Sequence, residues 1–208
     1  MTHKSFEVIL ADPPWKYNDQ KSNNPALGGI TYPVMSIDDL CRMPVKDIAH
    51  KSSILFMWAT MPLLPEAIRV MHSWGFKYTT CAFVWVKLNP KGNLTKQNKD
   101  IILSGGVYSG LGHWVNGNAE LVLMGKRGKP KRFNKNVKQI IFAPRGRHSE
   151  KPSEIYTRIE NLVIANNRLE LFARKIQANW TSLGNELSGD DIFADIEKLK
   201  HETSGEEI

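Results

Sequence analysis

Phe6-Glu7-Val8-Ile9-Leu10-Ala11 is an apolar run that ends at Asp12-Pro13-Pro14-Trp15. A strand-length apolar stretch stopped by an acid, two prolines and an aromatic predicts a buried parallel strand that delivers polar groups to one edge of a sheet. Open α/β sheets bind their ligands at that edge. The prolines fix φ and have no N–H, so their carbonyls are expected in a rigid turn without competing local donors. The Asp12 carboxylate and the Pro13 carbonyl would then form a pair of acceptors suited to both hydrogens of a planar amino group. Trp15 could stack on the ring that bears this amine. The plainer alternative is a proline turn with Asp12 capping a backbone and Trp15 in the core.

Downstream, residues 16–31 are polar and rich in Asn and Gly, which predicts a mobile loop over the site. Ser36 before Ile37-Asp38-Asp39-Leu40 predicts a helix start, with the helix running to about Ala49. Residues 53–59 are a second buried strand, 62–74 a helix closed by Gly75, and 78–86 a third strand. Strand, helix, strand, helix, strand argues for a parallel sheet with helices on its faces.

Residues 89–118 break the pattern and predict a long substrate-binding insertion, in which Trp114 is an exposed aromatic able to meet nucleic acid or a partner. Residues 119–124 and 137–142 predict two strands of a hairpin around a basic turn. A helix over 152–165 and strands over 168–173 and 179–183 follow. The expected organisation is one domain, residues 1–187, and a peripheral acidic helix and tail, 188–208.

With 208 residues, 41% apolar and 24% charged, the composition is that of an ordinary globular chain. Cys41 and Cys81 stand apart and fit neither a disulfide framework nor a metal site, which favours a reducing, cytoplasmic setting. No signal-peptide core precedes the first strand, and the most apolar stretch, residues 54–64, is broken by Pro62, so no membrane span is expected.

The net charge of +7 is concentrated. Lys126, Arg127, Lys129, Lys131, Arg132, Lys135, Lys138, Arg145 and Arg147 lie in a stretch with no Asp or Glu, an electrostatic footprint for phosphates.

Late in the chain, Glu170, Arg174 and Asn185-Glu186 follow predicted strands and would meet Asp12 at one sheet edge. Acceptors at strand ends suit vicinal ribose hydroxyls. No Gly-x-Gly-x-x-Gly or Gly-x-x-x-x-Gly-Lys-Ser/Thr sequence is present, so the pattern favours a nucleoside cofactor over a pyrophosphate.

Asp12-Pro13-Pro14-Trp15 resembles the catalytic tetrad of the MT-A70 family of N6-adenine methyltransferases. The similarity continues in order through Tyr32, Met35-Ser36, Phe56-Met57-Trp58, Trp74-Gly75-Phe76, Trp85-Val86-Lys87, Gly112-His113-Trp114, Glu120, Gly125-Lys126-Arg127-Gly128, His148-Ser149-Glu150-Lys151-Pro152, Glu170-Leu171-Phe172-Ala173-Arg174 and Trp180 with Gly184-Asn185. It covers residues 6–187.

The resemblance implies an α/β, Rossmann-like, S-adenosylmethionine-dependent methyltransferase sheet, circularly permuted so that the catalytic motif precedes the cofactor strand. It implies catalysis by Asp12, Pro13, Pro14 and Trp15. It implies cofactor contacts from Ala11, Asp12, Lys151, Glu170, Phe172, Arg174, Gln177, Asn185 and Glu186. Tyr32 and Glu120 match the target pocket, and Lys126, Arg127, Lys129, Lys131 and Arg132 complete the expected substrate side. No metal is implied. One departure is Ile176, which stands where the family would place a polar cofactor contact.

The expected substrate is adenine in DNA, with RNA as the enzymatic alternative and a non-catalytic nucleic-acid-binding subunit as the alternative of another class. A homodimer is compatible with the sequence.

Overall fold

The computed structural model describes residues 5–17, 33–97, 100–110, 114–146, 150–189 and 191–204. In chain order the elements are β1 (Phe6–Ala11), α1 (Ile37–Arg42), α2 (Val45–Ile48), β2 (Ala49–Ala59), α3 (Leu64–Ser73), β3 (Lys77–Leu88), β4 (Asn93–Gln97) and β5 (Asp100–Ser104). They continue with β6 (Ala119–Arg127), β7 (Ile140–Pro144), α4 (Glu154–Leu162), β8 (Arg168–Leu171), β9 (Thr181–Leu183), α5 (Asn185–Ser188) and α6 (Ile192–Ser204). This mixed α/β chain forms two compact units. The first comprises Met1–Thr80, Leu123–Pro130 and Ala165–Ile208, the second Cys81–Val122 and Lys131–Ile164.

In the first unit the strand order is β6-β2-β1-β8-β9. β1 is the inner strand, parallel to β2 on one side and to β8 on the other, and β9 is parallel to β8. Val8, Ile9 and Ala11 are wholly buried, as a two-sided parallel strand requires. β2 begins earlier than the sequence predicts. Its pairing steps from Phe6↔Ala49 to Val8↔Ile54, and the extra residues fold into a bulge closed by the Ser53 hydroxyl donating to the His50 carbonyl at 2.7 Å.

Ser36 caps α1 as expected, its oxygen accepting from the Asp39 N–H at 3.1 Å. The single helix expected to run to Ala49 is instead broken into α1 and α2. Pro44 has no N–H to continue the ladder, and α1 ends with the Met43 N–H on the Leu40 carbonyl. The proline-rich entry to α3 is likewise a 3-10 turn, Met61–Leu63, before the α-helix proper. Ala67, Val70 and Met71 bury one helical face, and the indole N–H of fully buried Trp74 donates to the Leu40 carbonyl at 2.7 Å, fastening α3 to α1.

The C-terminal helix is not peripheral. Ile192, Ile196 and Leu199 of α6 are buried at helical spacing, and Lys200 reaches Asp47 of α2 at 3.4 Å.

In the second unit the strand order is β7-β3-β6. The expected hairpin of β6 and β7 is therefore absent: β3 lies between them, and β7 runs parallel to it with Trp85↔Ile141 and Leu88↔Pro144. The link between β6 and β7 has no two- to five-residue turn of the kind that pins a hairpin, so sequence proximity did not fix adjacency. Trp85 secures the pairing, its indole N–H donating to the Ala143 carbonyl at 3.0 Å. The stretch expected as a long loop contains a second small sheet, the antiparallel pair β4–β5. Ile155 and Ile159 of α4 are buried in this unit.

Trp74→Phe keeps an apolar ring at its site but removes the donor to Leu40. We expect it to lower unfolding free energy by about 1–3 kcal/mol, seen as a shifted urea midpoint at unchanged slope.

A candidate cofactor cleft and a lysine-glutamate cluster

β1 and β8 end side by side, with Ala11 opposite Leu171. The Asp12 N–H continues the pairing by donating to the Leu171 carbonyl at 3.4 Å. Beyond this point the two chains diverge around an open cleft lined by Asp12, Pro13, Pro14, Pro33, Met35, Phe172, Ala173, Arg174, Asn185 and Glu186. Seven residues anticipated from sequence for cofactor binding or catalysis, Asp12, Pro13, Pro14, Phe172, Arg174, Asn185 and Glu186, thus share one cavity.

The turn is less simple than the sequence suggests. The Pro13 carbonyl does have a local donor, the Trp15 N–H at 2.9 Å, and the Pro14 carbonyl accepts from the Met35 N–H at 2.9 Å. A carbonyl oxygen has two lone pairs, so Pro13 retains one acceptor site. Trp15 turns inward. It is 5% exposed, and its indole N–H donates to the Trp58 carbonyl at 3.2 Å. The ring is thus an anchor for the proline turn, the plainer of the two parts open to it, and is not presented as a stacking surface.

The opposite wall depends on two unusual backbone positions. Phe172 sits at φ 65°, a left-handed conformation that is costly for a bulky side chain and typical of ligand sites. It lets the chain leave β8 while the Ala173 N–H still donates to the Leu183 carbonyl at 2.8 Å. Gly184 lies so close to that bend that a Cβ would fall 2.2 Å from the Ala173 carbonyl oxygen. Arg174 and Glu186 approach at 3.5 Å, a surface pair weak enough for a ligand to re-partner.

Other residues implied by the resemblance stand elsewhere. Ala11 is fully buried within β1, and Glu170 lies on β8 between Leu10 and Ser182. Gln177 is held in a turn, its N–H on the Ser182 hydroxyl at 3.2 Å and its carbonyl accepting from the Trp180 N–H at 3.1 Å. None of the three lines the cleft. Ile176 is 82% exposed. Tyr32 and residues 18–31 of the expected mobile loop lie outside the described residues. Arg127 is not simply a phosphate contact, since its guanidinium donates to the Lys46 and Ala49 carbonyls at the end of α2. Lys126, Lys129, Lys131 and Arg132 are exposed. The residues that sequence reasoning left without a role here are Pro33, Met35 and Ala173. Met35 and Ala173 were signalled only as members of the Met35-Ser36 and Glu170-Leu171-Phe172-Ala173-Arg174 motifs.

In the second unit, Glu120 at the start of β6 is bracketed by two lysines. Lys87 lies 2.5 Å from one carboxylate oxygen and Lys151 3.6 Å from the other, all three side chains less than one-fifth exposed. Lys87 also lies 5.2 Å from the centre of the Trp85 ring. Burial pushes the Glu120 carboxyl up, but the Lys151 and Lys87 ammonium groups outweigh it and hold the group below its usual range. Lys87 was carried only as part of the Trp85-Val86-Lys87 motif, and its position at the end of a strand was the available signal. Among the described residues no His, Cys, Asp and Glu cluster has the arrangement of a metal site.

A carboxylate with a depressed pKa stabilises the fold at pH values above its unfolded pKa, and that contribution is lost as pH falls through the folded pKa. Lys87→Met should therefore cost about 1–3 kcal/mol at neutral pH, between exposed and buried ion pairs. In urea titrations at several pH values, the gap to wild type should narrow as pH falls below the ordinary glutamate value of about 4.3.

The model of the MT-A70 family matches residues 6–186. A type II methyltransferase of a Mycoplasma species, M.MunI, is 32% identical over 212 residues, covering 92% of this chain and 82% of that protein. The human N(6)-adenosine-methyltransferase catalytic subunit METTL3 is 31% identical over 187 residues, covering 88% of this chain and 28% of its own length. An Arabidopsis thaliana N(6)-adenosine-methyltransferase MT-A70-like protein is 30% identical over 207 residues, 98% of this chain and 27% of that protein. With a tetrad at the end of an inner parallel strand, a cleft formed by the residues that the motifs single out, and a match through nearly the whole chain, the protein belongs to the MT-A70 family of methyltransferases.

Proposed function

We propose that this chain transfers a methyl group from S-adenosylmethionine to the exocyclic N6 amino group of adenine in DNA. The observation that carries the reading is the single cleft in which Asp12 and Pro13 face Phe172, Arg174, Asn185 and Glu186. The donor set fits the cofactor. Asn185 and Glu186 offer acceptors to a ribose, Phe172 offers a ring, and Gly184, with no Cβ, lets the Ala173 backbone close in behind that wall of the cleft.

When bound, S-adenosylmethionine supplies an electrophilic methyl on sulfonium sulfur. The adenine amine is a weak nucleophile because its lone pair is delocalised into the ring. The Asp12 carboxylate and the remaining lone pair of the Pro13 carbonyl accept its two N–H groups, drawing electron density onto nitrogen and fixing its direction of attack. Asp12 is also placed to accept the proton that the methylated nitrogen sheds. The Trp15 anchor keeps both acceptors rigid. A base in a duplex would have to leave the stack to reach them.

DNA is favoured over RNA because the similarity to the type II methyltransferase runs through most of both chains, whereas the adenosine methyltransferases match over little more than a quarter of their length. Among the described residues no helix is long and apolar enough to cross a membrane. The arrangement of strands supports the circularly permuted reading, with Asp12 ahead in sequence of the cofactor-side strand β8. The intact tetrad argues against a non-catalytic subunit.

Asp12→Ala should reduce methyl transfer by at least about 100-fold, the scale of losing an aligned polar group at the reacting atom, while leaving the melting curve near wild type. A radiolabelled-methyl assay on matched DNA and RNA oligonucleotides, with the product nucleoside identified by mass spectrometry, checks both activity and substrate. Full turnover by the variant would exclude this role for Asp12.

Gly184→Ala should weaken S-adenosylmethionine binding by at least about tenfold, or ~1.4 kcal/mol, in calorimetry, because the added methyl must displace the Ala173 backbone.

A further inference from the structure

The second unit carries an ordered loop that neither the cleft nor the Glu120 cluster uses. It reads Lys131-Arg132-Phe133-Asn134-Lys135-Asn136-Val137-Lys138-Gln139 and has no regular secondary structure, yet its backbone is tied down along its length. The Phe133 N–H donates to the Leu162 carbonyl at 2.9 Å. The Asn136 N–H donates to the Asn134 side-chain oxygen at 2.8 Å, closing an Asx turn. Arg158, held by Glu154 at 2.8 Å, donates to the Lys138 carbonyl. The Gln139 amide donates to the Cys81 carbonyl at 2.7 Å.

From this fixed backbone Phe133 stands 65% exposed, and Lys131, Arg132, Lys135 and Lys138 of the same loop are exposed. Among the described residues none of these four cations forms an ion pair, whereas Lys87, Lys151 and Arg158 of the same unit all do. An apolar ring held in water forgoes burial, and like charges gathered without acids repel. Both features are relieved by a ligand that combines flat apolar faces with closely spaced negative charge.

We propose that this loop is a nucleic-acid stacking platform, in which Phe133 stacks on an unpaired base and Lys131, Arg132 and Lys135 contact the adjoining phosphates. The charge selects a polyanion, and the ring selects nucleobases over an acidic peptide. Any base presents a π face, so the contact tolerates sequence, and the tied backbone lowers the ordering cost of binding. The inference takes its ligand class from the nucleic-acid reading above and is independent of methyl transfer.

The test uses the full chain and fluorescence anisotropy with a labelled oligothymidine of about 12 nucleotides, within the site sizes of such platforms, which has no adenine to methylate. A duplex of the same length and a polyglutamate of similar charge serve as comparisons. Phe133→Ala should weaken oligothymidine binding at least about fivefold and duplex binding by less than about twofold. Phe133→Trp should restore it. The Lys131→Gln, Lys135→Gln double variant should weaken both DNA forms and flatten the salt dependence, by about 1.4 in log-log slope for the single strand.

Thermal melting confirms that the Phe133→Ala chain is folded. Unchanged oligothymidine affinity in that variant overturns the proposal, as does polyglutamate binding as tight as oligothymidine and equally dependent on Phe133. Phe133-dependent oligothymidine binding by a chain that transfers no methyl to adenine would sustain this platform and refute the catalytic reading alone.

Discussion

The parallel pairing of β1 with β2 on one side and β8 on the other determines where every cleft residue stands. Leu10 faces Phe56 in one neighbour and Glu170 in the other, so the strands leave the sheet at matched levels. Parallel strands end on the same edge, which puts Asp12 level with Phe172. A slip of one residue would turn the carboxylate to the opposite face of the sheet. The buried faces of Val8, Ile9 and Ala11 make such a slip costly, and the Trp15 indole on the Trp58 carbonyl fixes the turn that follows.

Rigidity on one wall is matched by strain on the other. Phe172 occupies a conformation that an aromatic residue rarely takes, and it is held there by the Ala173 to Leu183 hydrogen bond and by the absence of a side chain at Gly184. Substituting either residue acts on the cleft through the backbone rather than through a lost contact. Arg174 and Glu186, by contrast, are paired at the surface, where exchanging one partner for another costs little.

The parts of the fold legible in sequence were those set by local chemistry. The inner strand showed as an apolar run and Ser36 as a cap. The strand-end residues Arg174, Asn185 and Glu186 were legible because a parallel sheet brings strand ends together whatever their sequence separation. What failed depended on partners chosen across the chain. β3 inserts itself between β6 and β7, and no property of either strand announces this. Trp15 could have pointed to solvent or to the core; the carbonyl of Trp58, far away in sequence, selects the core. Glu120 was legible as a polar residue on a strand, but its two lysines were not, because β3 and the stretch before α4 supply them.

The same distinction governs the charge. From sequence, the basic stretch is one pool of positive residues with a common affinity for phosphate. In the fold it divides by what each cation already holds. Arg127 is occupied by the carbonyls that end α2. Arg145 lies over the Tyr108 ring, 4.1 Å from its centre. Lys131, Arg132, Lys135 and Lys138 hold no carboxylate among the described residues and share a loop whose backbone is tied to its surroundings. Cations that cap carbonyls or cover rings have part of their donor capacity and position fixed by the fold, and phosphate must compete for them. Those of the Phe133 loop face no such competition among the described residues, so the charge available to a nucleic acid is smaller than the composition indicates and more sharply placed.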